Sequence, residues 1–204
     1  PAAWLMSGGK ASPRGAGWVM WGGGSLYWFG GEPHAATNTL VGDLPGMYWV
    51  GGDGRMATSA QWVAYKAGRY RVQDGGRVLG GGWHKVDGSW YYMTAGGLAT
   101  TGWLQSGGSW YFFDLNTSAM RTGWINDGSG WFYLGESGVM RTGWLQDDGS
   151  WYYLDAKGRM ATGWQEVGGS WYYMDEHGVM VTGRALVDDV VHVFDGSGRW
   201  LGRV

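Results

Sequence analysis

The 204-residue sequence contains no cysteine, only four prolines and no run of basic residues. Without cysteine the chain can form neither a disulfide framework nor a thiolate metal site. Lys and Arg total 15 against 17 Asp and Glu, so no basic stripe exists and we expect no nucleic-acid partner. No apolar stretch approaches the roughly 18 residues of a membrane-spanning helix, so we expect no transmembrane segment.

Glycine and aromatic residues are abundant instead. The chain has 42 Gly, 17 Trp, 12 Tyr and 5 Phe. Glycine weakens helix interiors, so a mainly helical fold is not expected. The glycines follow no three-residue period, which excludes collagen, and so many aromatic residues argue against a disordered chain.

Internal repeats determine how the chain is organised. The tripeptide Thr-Gly-Trp places a Trp, here called the first marker, at 103, 124, 144 and 164, with weaker copies at 83 and 184. A second Trp, the second marker, follows seven residues later in every unit of this series but the last, and two more aromatic residues usually follow it. Degenerate copies of the repeat continue the first marker back through Trp62 and Leu40 to Trp18, which gives nine units.

Each unit is predicted to be a β-hairpin followed by a glycine-containing loop. Dipeptides such as Asp87-Gly88 and Asp148-Gly149 favour tight turns because both residue types tolerate positive φ. A lone hairpin is marginally stable and a unit this short cannot enclose a core, so successive hairpins must stack. We therefore predict an all-β fold, a β-solenoid of stacked β-hairpins built from ~20-residue repeats.

The array is predicted to be continuous, with three parts. Residues 1–82 hold degenerate hairpin repeats with an irregular lead-in, residues 83–183 hold the regular repeats, and residues 184–204 form a degenerate terminal repeat. In the terminal repeat Val191 and Val193 replace aromatic residues, which is typical of a solenoid cap. Dimerisation through this repeat is the alternative role.

With an even number of turn residues, each hairpin collects aromatic side chains on one face. Trp144, Trp151 and Tyr153 then share a face, and Leu145 and Tyr152 take the other, because side chains alternate along a strand. These rings could supply a core in a chain poor in aliphatic residues. Alternatively, some of them could line cavities that bind a quaternary ammonium group or stack on sugar rings.

The segment 142–162 (TGWLQDDGSWYYLDAKGRMAT) resembles the choline-binding, or cell-wall-binding, repeat. The resemblance is strong over residues 81–183 and weaker but in phase over 18–80. It implies stacked hairpins with ligand sites between successive units, in secreted or surface proteins of Gram-positive bacteria and their phages. Glucan-binding repeats share some of the same elements, so the pattern does not by itself fix the ligand.

The resemblance also implies which residues form the sites. Each site takes both markers of one hairpin, an aromatic residue of the next hairpin and often a Met. The implied sets are Trp83 and Trp90 with Phe112, Trp103 and Trp110 with Tyr133, Trp124 and Trp131 with Tyr153, and Trp144 and Trp151 with Tyr173. The neighbouring position, such as Tyr152, is the alternative third ring. The implied methionines are Met120, Met140 and Met160.

Incomplete sites are expected elsewhere in the array. Trp164 and Trp171 would meet Val193, so their site should be weak or absent. In the early units Leu40, Met47 and Arg69 replace an expected Trp.

The implied function is that of a non-catalytic module without a cofactor, which binds choline on teichoic acids at the bacterial cell surface. The alternatives are a glucan- or polysaccharide-binding module and a structural or protein-interaction array. The four His have no metal-ligand spacing, and neither a Ser/His/Asp set nor an acid–base pair of carboxylates is recognisable. We therefore expect no enzyme in this chain, although the full-length protein could carry a catalytic domain.

Overall fold

The computed structural model describes residues 5–7, 10–12, 17–21, 25–29, 35–42, 46–66 and 68–204. Within these ranges all regular structure is β, which confirms the predicted fold class. No helix in the described part of the chain is long and apolar enough to cross a membrane. Part of the predicted irregular lead-in, including Trp4, lies outside the described residues.

The chain divides into two compact units. The first comprises residues 1–102 and 113–119, and the second comprises residues 103–112 and 120–204. The three-part division at 82/83 and 183/184 stays a prediction.

The first unit contains the strands β1 (Leu5–Ser7), β2 (Lys10–Ser12), β3 (Gly17–Trp21), β4 (Ser25–Phe29), β5 (Thr39–Val41), β6 (Tyr48–Val50), β7 (Gln61–Tyr65), β8 (Gly68–Val72), β9 (Gly82–Val86) and β10 (Ser89–Met93). The second unit contains nearly all of β11 (Gly102–Ser106) and β12 (Ser109–Phe113), followed by β13 (Gly123–Asn126), β14 (Trp131–Leu134), β15 (Gly143–Asp147), β16 (Ser150–Leu154), β17 (Gly163–Val167), β18 (Ser170–Met174), β19 (Gly183–Val187), β20 (Val190–Phe194) and β21 (Trp200–Arg203). Consecutive strands pair as hairpins, and β21 adds a third strand beside β20.

Hairpin turns with an even number of residues set which side chains share a face. In the β15–β16 hairpin Asp147 lies opposite Ser150, so the turn is Asp148-Gly149, with φ values of 46° and 78°. Two positive φ angles match a turn whose twist suits paired strands, and glycine adopts them without steric cost. The β13–β14 turn has four residues, which is also even, because Asn126 lies opposite Trp131.

In both units, loops that follow hairpins bond the hairpin back to its predecessor. In the second unit the N–H of Met140 donates to the carbonyl oxygen of Trp110 at 2.8 Å, and the N–H of Met180 donates to that of Trp151 at 2.7 Å. In the first unit the N–H of Ala99 donates in the same way to Arg69 at 2.9 Å. These bonds satisfy backbone groups that a separate hairpin would leave to water, and they fix the step from one hairpin to the next.

A column of apolar side chains forms the core along each unit. From the β5–β6 hairpin onwards it takes the last residue of the second strand of each hairpin, and these residues are between 0% and 3% exposed. Its members are Val50, Val72, Met93, Phe113, Leu134, Leu154, Met174 and Phe194. Several of them pair by an isolated β-bridge with the residue six positions later, as Leu154 does with Met160. Thus one residue per hairpin supplies the most deeply buried layer.

Met140 also packs against the loop of the next hairpin, and this contact requires glycine at position 158. A Cβ at Gly158 would lie 2.5 Å from Sδ of Met140, whereas a Cβ at Gly149 would meet nothing within 4 Å. The two glycines have nearly the same φ, +80° and +78°. We therefore expect Gly158→Ala to be less stable than Gly149→Ala by about 1 kcal/mol, because only the former disturbs packing. Denaturant unfolding of the two variants measures the difference, and equal stabilities would contradict the packing role.

Candidate functional site

The second-marker tryptophans are unusually open for such large apolar side chains. Each is between 41% and 46% exposed, and the set comprises Trp90, Trp110, Trp131, Trp151 and Trp171. Isolated exposed apolar residues are ordinary on protein surfaces, but a large ring exposed at the same place in successive repeats points to an interaction site.

The two markers of a hairpin form two walls at a steep angle. In the β15–β16 hairpin the ring centroids of Trp144 and Trp151 lie 6.3 Å apart with an interplanar angle of 83°. The pairs Trp83–Trp90, Trp103–Trp110 and Trp164–Trp171 repeat this arrangement at 6.4 Å. The predicted sharing of one face by both markers is therefore confirmed in these hairpins.

The third wall comes from the next hairpin, at the residue directly after its second marker. Tyr172 lies 4.7 Å from Trp144, and Tyr152 lies 4.9 Å from Trp124. Phe132 lies 4.9 Å from Trp103 in the same way. For Trp124 the contacting ring is Tyr152, which the sequence analysis gave as the alternative to Tyr153.

The rings of the next hairpin that contact these tryptophans are not the third rings first expected from the sequence, and the expected rings stay predicted site residues. Phe112, Tyr133, Tyr153 and Tyr173 lie in the same hairpin as Trp103, Trp124, Trp144 and Trp164 respectively, each 5.2 Å away. The physical reason is the way the hairpins stack. Successive side chains of a strand point to opposite faces. The face that a hairpin turns towards the preceding hairpin carries the residue directly after the second marker, such as Tyr172, and not the next one, Tyr173. Phe112 is also only 9% exposed and packs in the core with Phe132. The grouping of Phe112 with Trp83 and Trp90 stays a prediction.

One cavity of this kind has a volume of about 440 Å³ and is open to solvent. Its lining comes from three successive hairpin–loop segments and consists of Trp144, Trp151, Tyr172, Met180, Gly196 and Ser197. None of these side chains carries a charge.

The predicted methionines Met120, Met140 and Met160 follow their hairpins in the chain, and their place in the sites stays a prediction. Met140 and Trp103 pack on the same core cluster, and the N–H of Met160 bonds to the carbonyl oxygen of Trp131 at 2.8 Å. Met120 contacts the loop at Gly138. Met180, which lines the cavity beside Trp151, was missing from the predicted set, although it occupies the same repeat position as the other three.

Two carboxylates orient indole rings, and the sequence did not predict this role. Nε1 of Trp103 donates to Asp127 at 2.8 Å, and Nε1 of Trp124 donates to Asp147 at 2.9 Å. Tyr133 also donates its hydroxyl to Asp147, at 3.2 Å. Burial raises the pKa of Asp127, but the hydrogen bonds from Trp103 and Ser129 outweigh it and lower that pKa below the ordinary value. Burial and the bond to Asp147 raise the pKa of Tyr133.

A cavity of the first unit differs in character. Its volume is about 680 Å³, and Trp49 is the one aromatic residue of its lining, with only 8% of its surface exposed. Across the described ranges no three His, Asp or Glu side chains come together to hold a metal ion.

Known sequences and structures with the same features identify the repeats. A family model described as a choline-binding repeat matches residues 121–162 and 161–200, and one described as a cell wall binding repeat matches residues 81–98 and 101–116. Together these matches cover more than half of the chain. The chain belongs to the choline-binding repeat family.

Solved structures of choline-binding proteins are similar to this chain. Choline binding protein F from Streptococcus pneumoniae has a TM-score of 0.70 and 33% identity, and the match covers 86% of this chain and 61% of that one. A structure of CbpF in complex with ipratropium has a TM-score of 0.68 and 31% identity, covering 86% and 62%. This chain therefore spans less than two thirds of the length of those proteins.

A more distant structure shares the fold. CbpJ from Streptococcus pneumoniae TIGR4 has a TM-score of 0.64 and 23% identity, covering 98% of this chain and 87% of that one. A search of curated proteins gave no match.

One choline-binding repeat of the first unit has arginines in place of two aromatic walls. Trp62 lies 4.7 Å from Tyr91 of the next hairpin, as in the later repeats, but Arg69 and Arg71 occupy the positions of the second marker and of its own-hairpin ring. The guanidinium carbon of Arg69 lies 4.7 Å from the Trp62 ring centroid, and Nη1 of Arg69 donates to the carbonyl oxygen of Thr117 at 2.6 Å. At Trp62 the chain itself thus supplies a cation to the ring face.

The last choline-binding repeat differs from the sequence-based prediction. The ring beside Trp164 is His192, at 5.0 Å, and not Val193, which lies opposite Arg184. The expectation that Trp164 and Trp171 meet Val193 was therefore wrong, for the same reason of parity.

If the Trp151 side chain lines a solvent-exposed site and is not part of the core, its removal should lower the stability only slightly. We expect Trp151→Ala to lower the free energy of unfolding by less than the loss of a fully buried side chain does, because Trp151 is already 41% exposed. Leu154→Ala in the same strand removes a side chain that is 0% exposed and should cost about 2–5 kcal/mol. Denaturant unfolding compares the two variants, and similar losses would mean that the Trp151 indole belongs to the core.

Proposed function

We propose that this chain is a non-catalytic module that binds choline groups of cell-wall teichoic acids at aromatic sites between successive hairpins. The observation that carries the proposal is the open cavity bounded by Trp144, Trp151 and Tyr172. Its two indoles meet at 83°, and the tyrosine ring of the next hairpin lies 4.7 Å from Trp144.

The chemistry of these walls suits a quaternary ammonium ion. Such an ion has no N–H to donate, so it gains little from hydrogen-bond acceptors and more from the electron-rich faces of aromatic rings. Each ring contributes roughly 0.5–2 kcal/mol. Three rings and the thioether of Met180 offer a surface that is both apolar and favourable for positive charge.

The relatives support the same ligand class. Choline binding protein F is named for choline, and CbpF has been crystallised in complex with ipratropium, which is itself a quaternary ammonium compound. At 33% identity over 86% of this chain, a shared ligand chemistry is a reasonable expectation for the regular repeats.

Repetition explains how weak sites could hold a protein at a cell surface. A site of roughly 4 kcal/mol has a millimolar dissociation constant. When several such sites stand on one chain and the partner is a polymer with many choline groups, later binding events become intramolecular and the overall affinity rises. We infer a secreted protein held at the bacterial surface through this module.

The shape of the cavity favours choline over the glucan alternative. A sugar ring stacks on a flat, open aromatic face, whereas Trp144 and Trp151 stand nearly perpendicular and form a corner. A corner surrounds a compact, rounded group from several sides, and a trimethylammonium group has that shape.

Titration with choline, followed by tryptophan fluorescence, tests the proposal. We expect a saturable change with a dissociation constant in the millimolar range. The neutral analogue 3,3-dimethyl-1-butanol, in which carbon replaces the ammonium nitrogen, should bind about tenfold more weakly or worse because it lacks the cation–π attraction. No change at tens of millimolar choline, or equal affinity for the two compounds, would contradict the proposal.

Matched variants locate the binding. A variant with all five second-marker tryptophans changed to Ala should lose the choline response. Leu115→Ala with Leu186→Ala, which removes two exposed apolar side chains outside the aromatic corners, should retain it. Retention of the wild-type protein on dextran but not on a quaternary-amine resin would instead favour a glucan-binding module.

A further inference from the structure

The C-terminal end of the second unit has a cavity of about 660 Å³ built on the same plan as the choline site but with different chemistry. Its lining is Trp164, Trp171, Asp188, His192, Trp200 and Arg203. We propose that this cavity, here called the terminal cavity, is a further quaternary ammonium site that is open only while His192 is neutral. The proposal rests on the proposed function of the other sites.

The terminal cavity reproduces the walls of its neighbour. Trp164 and Trp171 lie 6.4 Å apart at 76°, and His192 lies 5.0 Å from Trp164 at 63°. In the neighbouring site the corresponding ring, Tyr172, lies 4.7 Å from its Trp at 68°. An imidazole therefore stands where the tyrosine stands elsewhere.

A fourth ring comes from the strand that closes the chain. Trp200 on β21 lies 5.7 Å from Trp164 at 78° and is 38% exposed. Because β21 pairs with β20, this extra indole stands beside His192 and adds an aromatic face that the regular repeats do not take from a third strand.

The hydrogen bond between Trp200 and His192 defines the state of the imidazole. Nε1 of Trp200 lies 3.0 Å from Nδ1 of His192. An indole N–H can only donate, so this bond requires Nδ1 to be the acceptor, which a neutral imidazole with its proton on Nε2 provides. Adding a proton at Nδ1 would set two donors against each other and break this bond.

Protonation would oppose binding in a second way. A positive imidazolium 5.0 Å from the Trp164 ring would repel a cation in the cavity and would itself face the indole that the ligand needs. Asp188 and Arg203 also line the cavity, and Glu166 shares the Trp164 face of β17. Carboxylates and guanidinium groups ordinarily keep their charge between pH 5 and 8, whereas histidine gains its proton there.

The choline site of the neighbouring repeat has no such group. Trp144, Trp151 and Tyr172 are joined in its lining by Met180, Gly196 and Ser197, none of which titrates between pH 5 and 8. Choline is a quaternary ion whose charge does not depend on pH. A difference in pH response between the two sites would therefore arise from the protein, at His192.

Site-resolved NMR of the tryptophan indole N–H groups tests the proposal on the full chain. Choline is titrated at pH 7.5 and pH 5.0, with the Trp144 and Trp164 resonances assigned by Trp→Phe variants. We expect Trp164 to report binding at pH 7.5 and an affinity about tenfold or more lower at pH 5.0. Trp144 should change by less than about twofold.

Two variants attribute the effect to one side chain. His192→Tyr restores the residue type of Tyr172 and should make the Trp164 response independent of pH. His177→Tyr changes a histidine on an exposed turn and should leave the pH dependence intact.

The remaining outcomes overturn the proposal in distinguishable ways. If Trp164 is silent at pH 7.5 while Trp144 responds, the terminal cavity is not a cation site. If Trp164 responds equally at both pH values, or if the pH dependence survives in His192→Tyr, no histidine gate exists. If neither tryptophan responds at either pH, the proposed function itself fails.

Discussion

Within each unit the structure depends on backbone hydrogen bonds that join successive hairpins. A two-stranded hairpin with a glycine-rich loop cannot bury its own apolar face, so its stability comes from its neighbours. The N–H groups of Met140, Met160 and Met180 each donate to the carbonyl oxygen of a second-marker Trp in the preceding hairpin. This fixed step brings the ring of one hairpin, such as Tyr172, against the tryptophan of another. A site between hairpins is thus a direct result of the contact that stabilises the fold.

Much of the architecture could be predicted because the repeat period and the turn residues are local signals. Asp148-Gly149 forms the expected two-residue turn, and Trp144 lies opposite Tyr153, one of the two registers that an even turn allows. The third wall of the site could not be fixed in this way. It depends on which face of the next hairpin is turned back, and that is a property of stacking which alternation along a single strand does not reveal.

Two further features escaped the sequence for related reasons. The carboxylates of Asp127 and Asp147 looked like ordinary turn and strand-end residues, but stacking brings them within 2.8 and 2.9 Å of indole N–H groups two strands away. The sequence left open whether the aromatic rings form the core or line cavities. In the structure the deepest positions belong mostly to aliphatic residues and methionines, such as Leu154 and Met174. This leaves the second-marker indoles free to remain open.

The same backbone arrangement carries three different chemistries along the chain. In the regular repeats a Phe or Tyr ring of the next hairpin bounds the corner between two indoles. At Trp62 the side chain of Arg69 lies over the indole. At Trp164 the imidazole of His192 takes the place of the Phe or Tyr ring. The backbone bonds between hairpins and the buried residues at the ends of the second strands do not use the marker side chains, so these contacts remain when a marker changes. Ligand affinity can therefore differ from repeat to repeat.

The central claim is that indoles of one hairpin and a ring of the next surround an open, cation-sized space. A crystal structure of this chain soaked with choline tests it most directly. The account predicts electron density for a trimethylammonium group within about 6 Å of the ring centroids of Trp144, Trp151 and Tyr172. Rings closed against one another, or choline bound away from these three rings, would contradict it.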